Sequence, residues 1–211
     1  IVGIVTRQDI LRFRFLKTQV YAPLGSIFQV EEEKLKESPW YEILKEIKRL
    51  TSQHNISIYS VGGFVRDLLL GIPNFDLDIV VEGDINHIIH NLMDKWQGDI
   101  KIHEQFGTCE ITFDGKRIDI ATARMEYYEK PGSLPQVQRS SFWLDLKRRD
   151  FTINALAMSL NSENFGEIID LYGGLEDLTR KELRILHNLS FIEDPTRILR
   201  GIRLETRLSF N

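Results

Sequence analysis

The stretch "SVGGFVRDLLLGIPNFDLDIVVEG", Ser60 to Gly83, constrains this chain more than any other. It places two aspartates in D-x-D spacing at the head of an apolar run. Residues i and i+2 of a strand point to the same face. Asp76 and Asp78 therefore project together, while Leu77 and Ile79 project the other way into a core. Burying one uncompensated carboxylate is expensive, and burying two side by side is worse. A fold that accepts this sequence must bring positive charge to that end of the strand or leave it wet. Two convergent carboxylates with oxygen-only ligation suit Mg2+ or Mn2+. Two such ions can clamp the attacking and leaving oxygens of an in-line phosphoryl displacement. D-x-D alone also describes a solvated strand edge that caps a turn.

A second pair of strands bears on that choice. "TCEITF" and "KRIDIA" flank Asp114-Gly115, a strong two-residue hairpin signal. That turn pairs Phe113 with Lys116, Thr112 with Arg117, Ile111 with Ile118 and Glu110 with Asp119. Glu110 directly opposite Asp119 is a like-charge pair, locally unfavourable. Either Arg117 screens both acids or a cation does. Asp119 is the candidate third catalytic carboxylate, with Glu110 its rival.

The Gly62-Gly63 pair separates the strand "ISIYSV" from the short helix "FVRDLLLG", stopped by Gly71 with Pro73 beyond. Glycine lets backbone approach a ligand closely, and N–H groups at a helix start attract anions. Arg66 in the first helical turn opposes the helix dipole, a conflict that a nearby phosphate removes. A packing turn with a surface arginine is the plainer alternative.

The rest of the chain is an ordinary succession of elements. "IVGIVTRQDILRFRF" reads as strand, turn and helix start. "VYAPLGSIFQV" is extended, and "EEEKLKES" is a solvated linker or helix end. Pro39–Ser52 is helical, with Ser38 as N-cap. "FDLDIVV" is a strand and "INHIIHNLMDKW" a helix. "MEYYEKPGSLPQVQRSS" is expected to be a mobile loop, with Tyr127–Ser141 acting as a gate that orders on substrate. "FTINALAMSL" is expected to be a helix, and "GEIIDLYGGLEDLTRKELRIL" a strand, a Gly-Gly loop and a short helix. "DPTRILRGIRLETRL" is a helix capped by Asp194 with Pro195 at its first position.

Composition narrows the class. The 211 residues are 42% hydrophobic and 27% charged, enough apolar mass for a globular core. A net charge of -4 does not advertise nucleic-acid binding. Positive charge is nevertheless local: Lys147-Arg148-Arg149 is one basic knot, and Arg180–Asn211 holds seven Lys/Arg against four acids. Cys109 is the single cysteine, so intramolecular disulfides and cysteine-based zinc sites are excluded, and a reducing cytoplasm fits. No apolar stretch approaches the roughly 20 residues that span a bilayer. The chain begins with Ile, and both ends read as cut.

Taken in order, "GGFVRD", "DLD", "RRDFTINALA", "DLYGGLEDL" and "EDPTRILRGIR" resemble the class II tRNA nucleotidyltransferase and bacterial poly(A) polymerase family, of the polymerase β-type nucleotidyltransferase superfamily. The resemblance covers about Pro39 to Asn211. It implies an α+β head with a small mixed sheet followed by a helical neck: residues 37–160 the head, 161–211 the start of the neck. It implies that Asp76 and Asp78 hold two Mg2+, with Mn2+ as the alternative, and that Gly62, Gly63, Arg66 and Asp67 hold the incoming triphosphate. Arg148, Arg149, Asp150 and Asn154 match a motif that contacts phosphate and ribose. Asp150 and Asn154 would share one helix face, and Arg149 would precede that helix's N-terminus. Asp194 and Arg197 match a protein template that reads the Watson-Crick edge of the base. Such a pair favours CTP or ATP, which carry an amino group beside a ring acceptor. Arg200, Arg203 and Arg207 read as solvated or RNA-facing charges.

The partners implied are a tRNA 3' end with ATP and possibly CTP, with no membrane and an open oligomeric state. "GIVTRQDIL" resembles the last strand and helix of a CBS module, making 1–36 its remnant plus linker. That favours addition of the terminal A. A poly(A) polymerase stays open beside this reading, as does a non-catalytic nucleotide-sensing module, which would not need paired carboxylates. A metal phosphohydrolase would show more histidine ligands; His87, His90 and His103 fit no ligand spacing.

Overall fold

The computed structural model describes residues 28–210 other than 55, 84, 97, 104–106, 128–131 and 133–135. The CBS-like segment and the elements expected before residue 28 lie outside the described residues. A short helix α1 (Glu32–Lys36) and an amphipathic helix α2 (Tyr41–Gln53) lead into β1 (Ser57–Val61), α3 (Gly63–Leu70), β2 (Asp76–Glu82), α4 (Asn86–Lys95), β3 (Asp99–His103), β4 (Thr108–Phe113) and β5 (Lys116–Thr122). Then come β6 (Arg124–Tyr127), β7 (Gln136–Arg139), α5 (Phe142–Lys147), a 3-10 turn (Thr152–Asn154), β8 (Ala157–Ser159), β9 (Ile168–Ile169), α6 (Gly174–Arg180), α7 (Ser190–Glu193) and α8 (Thr196–Leu208). No helix among the described residues is long and apolar enough to cross a membrane.

Seven strands form one mixed sheet in the order β3-β4-β5-β2-β1-β8-β9. The β4–β5 hairpin has the register that its turn dictates, with Glu110 opposite Asp119 and Thr112 opposite Arg117. Asp114 and Gly115 both take positive φ, at 49° and 69°, as a two-residue turn between twisted strands requires. Parallel pairing of β2 with β5 sets Asp78 beside Asp119 and Asp76 beside Arg117.

The alternation in β2 divides the core. Leu77, Ile79 and Val81 enter the main core with residues of α2, α3 and α4, including Ile43, Ile47, Phe64, Ile88 and Leu92. Val80 points to the opposite face, into a smaller core with Val61, Ala123, Phe142, Leu146 and Ala157. Phe142 seats α5 there by stacking on Tyr59, ring centroids 3.7 Å apart, while its backbone N–H donates to Glu82 at 2.6 Å. The site is built at the end of this second face.

Several expectations change. Residues 151–160 are not a helix: Phe151 bridges to Ile185, Thr152–Asn154 make one 3-10 turn, and Ala157–Ser159 join the sheet. The run Ile153, Ala155, Leu156, Ala157, Met158 is buried throughout, and continuous burial suits a central strand as well as a helix. The supposed loop 125–141 contains a paired ribbon, β6 with β7. "EEEKLKES" holds α1, whose Leu35 is buried. At α2 the helix begins at Tyr41, and Ser38 Oγ accepts the Trp40 N–H at 3.2 Å. "DLYGGLEDL" is scaffold. Asp170 accepts the N–H groups of Gly174 and Leu175 at 2.9 Å each, and buried Asp177 bonds Thr152 Oγ1 and Arg184. It thereby fixes the loop that carries Asp150.

Trp40 is fully buried and donates its ring N–H to the Asn74 carbonyl at 2.8 Å, tying α2 to the loop before Asp76. Trp40→Ala is expected to cost about 3–5 kcal/mol, measured by urea unfolding.

Candidate active site

The carboxylates come first. Asp76, Asp78, Arg117 and Asp119 share one sheet face through the β2–β5 register. Asp78, Asp119 and Glu110 form an acidic row across three strands. Protein cations answer most of it. Arg117 Nε lies 3.5 Å from Asp76 and 3.1 Å from Asp119, and Lys101 Nζ is 3.2 Å from Glu110. Arg117 therefore screens Asp119 together with Asp76 and not with Glu110, which takes Lys101 instead. Burial pushes the Asp78 carboxyl above its ordinary range against the pull of Arg149, with Asp119 adding to the rise. Burial also raises Asp119, opposed by Arg117 and reinforced by Glu110.

The Gly-Gly turn closes against this pair. Gly62 has φ 70° and ψ -130°, a conformation open to glycine alone. A Cβ there would stand 2.8 Å from Arg149 Nη1 and 3.5 Å from Asp78 Oδ2. The missing side chain lets guanidinium, carboxylate and helix start converge. Arg66, buried in the first turn of α3, does not need a phosphate to relieve its conflict with the dipole. Its Nε donates to Asp67 at 2.8 Å and its Nη1 to Asn154 Oδ1 at 2.6 Å. Asp67 is fully buried and also accepts from Asn74 at 2.7 Å and Arg207 at 2.8 Å.

The "RRDFTIN" segment supplies the opposite wall. Asp150 and Asn154 meet, as expected, but across a tight turn and not along a helix: Asn154 Nδ2 donates to Asp150 Oδ1 at 3.0 Å. Arg200 donates to the other Asp150 oxygen at 2.7 Å. Burial alone would raise the Asp150 carboxyl, but donation by Asn154, Arg200 and the Phe151 N–H holds it below the usual range. Behind this wall stands Asp145, fully buried on α5. It accepts from Arg148 Nε at 3.0 Å, Arg148 Nη2 at 2.7 Å and Arg149 Nη2 at 3.2 Å. Glu126 on β6 takes Arg148 Nη1 at 3.0 Å.

Helix α8 completes the enclosure. Asp194 does both things its type allows: its Oδ1 accepts the Thr196 N–H at 3.0 Å, and its Oδ2 lies 3.7 Å from Arg197 Nε. Arg197 is buried and donates to Ser190 Oγ at 2.6 Å and the Arg148 carbonyl at 2.9 Å. Gly201 lets the helix lie close to Phe151, whose ring would be 3.0 Å from a Cβ.

These elements surround a cavity of about 540 Å³. All the sequence-predicted site residues line it except Asp67 and Asp119. Asp67 lies beneath it as a counter-charge, and Asp119 faces an adjoining cavity of about 780 Å³ with Glu110; Asp78 borders both. Sequence reasoning missed Asp145 and Glu126, and it left Arg200 and Arg207 as surface charges. Asp145 stands three and four residues before the two arginines on a helix, a spacing that signals pairing. Glu126 left no such signal, since the ribbon that carries it has no clear period.

The oxygen donors of Asp76 and Asp78 match a hard divalent cation. Among the described residues no three His, Cys, Asp or Glu cluster as a metal cage, and Mg2+ bound with a phosphate substrate needs only one or two carboxylates.

The chain belongs to the poly A polymerase head domain family, whose profile matches residues 58–184. It is 44% identical over 225 residues to the A-adding tRNA nucleotidyltransferase of Geobacter sulfurreducens, a match that spans 100% of this chain and 25% of that protein. It is 41% identical to the A-adding tRNA nucleotidyltransferase of Halalkalibacterium halodurans, over 80% of this chain and 40% of that one. The Thermotoga maritima CCA-adding enzyme complexed with tRNA_CCA superposes with a TM-score of 0.74 at 42% identity, over 88% of this chain and 43% of the other. This chain therefore spans a quarter to less than half of the length of these relatives. Nucleotidyltransferases of this kind are in general divalent-metal dependent.

Two consequences are measurable. Because its folded pKa is raised, the ionised Asp78 carboxylate costs stability at neutral pH, and that cost is relieved as pH falls through the raised value. Asp78→Asn in metal-free protein is expected to leave Tm unchanged or higher at pH 7, read by differential scanning calorimetry. Asp145→Asn removes the shared counter-charge of two arginines and is expected to cost about 3–5 kcal/mol, read by urea unfolding.

Proposed function

We propose that this chain is the catalytic head and the beginning of the neck of a template-independent tRNA nucleotidyltransferase, which adds AMP, or CMP and AMP, to a tRNA 3' end and releases pyrophosphate. The observation that carries the reading is the convergence on one cavity of the Asp76–Asp78 pair, the Gly62-Gly63 helix start, the Arg148-Arg149-Asp150 wall and the Asp194–Arg197 pair. Both A-adding relatives support AMP as the group transferred.

In this reading Asp76 and Asp78 hold two Mg2+, or Mn2+, with Asp119 completing the carboxylate set. Bound there, the ions lower the pKa of the acceptor hydroxyl and neutralise the leaving pyrophosphate. The chain's own groups do the positioning. Gly63, at the helix start, offers its backbone N–H to the triphosphate, while Gly62, whose N–H donates to the Leu156 carbonyl at 3.1 Å, shapes the turn. Arg149 sits against both the turn and Asp78 and attracts phosphate oxygen. Asp150 and Asn154 orient the ribose. Asp194 accepts from the amino group of the base, and Arg197 retains one N–H on each Nη for a ring acceptor. Catalysis is then mostly orientation and fixed charge.

The family's own name favours a second reading, a poly(A) polymerase, which uses the same residues without counting. The two part in one assay: full-length protein, Mg2+, labelled ATP or CTP, and tRNAs ending before C74, C75 or A76. One A on tRNA ending in CC is expected, whereas long tails select the polymerase. Asp76→Ala and Asp78→Ala are each expected to reduce incorporation by at least about 1,000-fold. Full activity in either variant overturns the carboxylate assignment.

A further inference from the structure

The two edges of the main sheet are finished differently. At one end β9 is only two residues long, and residues 28–30 cover it. Gln29 bridges to Glu167, the Ile168 N–H donates to the Phe28 carbonyl at 2.8 Å, and the Val30 N–H donates to the Gly166 carbonyl at 2.9 Å. At the other end stands β3, five residues long and paired with β4 on one side. It holds no proline, and among the described residues no strand pairs with its outer edge. A row of open N–H and C=O groups of that length is a template for another strand.

The usual defences of such an edge are spent. Lys101, the charge that would keep a second strand away, is held by Glu110 of β4 at 3.2 Å. Ile102 belongs to the core face, where its ladder partner Cys109 is buried, yet Ile102 is 51% exposed. One more strand would cover it. On the opposite face Asp99 and His103 are exposed, and among the described residues neither side chain has a partner.

The sequence of the strand selects what fits. Asp99-Ile100-Lys101-Ile102-His103 is self-complementary when two copies run antiparallel about Lys101. Asp99 then faces His103 of the second copy, twice over, an acid against a base. Ile100 faces Ile102, also twice, so each exposed Ile102 gains an apolar neighbour on the core side. The two Lys101 meet at the centre, each already paired with its own Glu110 and each diagonal to the Asp99 of the other copy. Parallel pairing in register would instead set Asp99 on Asp99 and His103 on His103. We propose that β3 is a dimerisation strand, pairing antiparallel about Lys101 with β3 of a second copy and joining the two sheets into one. His103 lines the cavity of about 780 Å³ that Asp78, Asp119 and Glu110 border. The dimer therefore brings Asp99 of the second copy to the rim of that cavity. Five paired residues make a small interface, so the association is weak and concentration-dependent.

The test uses the full-length protein in sedimentation equilibrium, with disulfide cross-linking to read the register. Opposed residues of an antiparallel pair stand about 4.5–5.5 Å apart between Cα atoms, within disulfide reach. Lys101→Cys is expected to give a covalent dimer on mild oxidation that wild type does not give. Asp99→Cys alone is expected to give none, because the two Asp99 lie four residues apart along the strands, about 13 Å. A mixture of Asp99→Cys and His103→Cys is expected to give the mixed dimer. Ile102→Lys is expected to weaken dimerisation at least tenfold with Tm unchanged, and Ile102→Val to stay within threefold of wild type. A wild type that stays monomeric at every concentration overturns the proposal, as does Ile102→Lys that dimerises as wild type does, through some other surface. Lys101→Cys that cross-links no more than Asp99→Cys overturns it too.

Discussion

The structure is organised around an electrostatic conflict: three acids in a row across the sheet, all in partly buried positions. Like charges at that separation raise each other's pKa and oppose folding. The chain neutralises the row unevenly. Glu110 and Asp119 receive Lys101 and Arg117 from the same sheet, while Asp78 is answered through space by Arg149 and Arg117. The place left under-neutralised is the place where a divalent cation gains most. The unresolved part of the conflict thereby lies at the end of the sheet that borders the cavity.

Around that point a lattice of guanidinium–carboxylate bonds holds elements distant in sequence. Asp145 secures Arg148 and Arg149, Asp150 secures Arg200, and Asp67 secures Arg66 and Arg207. Such pairs add little net stability over apolar packing of the same volume, but each is costly to break from one side. Their value here is geometric. They fix α8 over the loop that carries Asp150, and they set the cavity width with bonds that have direction. Hydrophobic contacts such as Phe142 on Tyr59 anchor the supports beneath.

The legible parts of the fold were those with strong local chemistry. Asp114-Gly115 set the hairpin register residue by residue, because few turns join two strands with two residues. The D-x-D spacing put Asp76 and Asp78 on one face, because strand periodicity allows nothing else. The 151–160 segment was misread as a helix because it is buried on all sides and shows no period. The 125–141 segment hid a ribbon because its prolines and glycine dominate its composition. Asp67 entered the expected site through the resemblance of its GGFVRD motif, and its carboxylate lies under the cavity with donors from Arg66, Asn74 and Arg207.

The sequence by itself determined the candidate inventory: two facing carboxylates, a glycine turn at a helix start, paired arginines, and an acid with an arginine three residues on. Backbone periodicity and turn chemistry, which act over a few residues, place the carboxylates and the glycine turn, and the resemblance supplies the roles of the arginines and of the acid–arginine pair. Tertiary structure alone decided which charges neutralise one another. Arg200 and Arg207 are spent on buried acids 50 and 140 residues away, and Arg203 between them has no such partner among the described residues. No local pattern distinguishes the three, because the distinction lies in partners that only long-range packing brings within bonding distance.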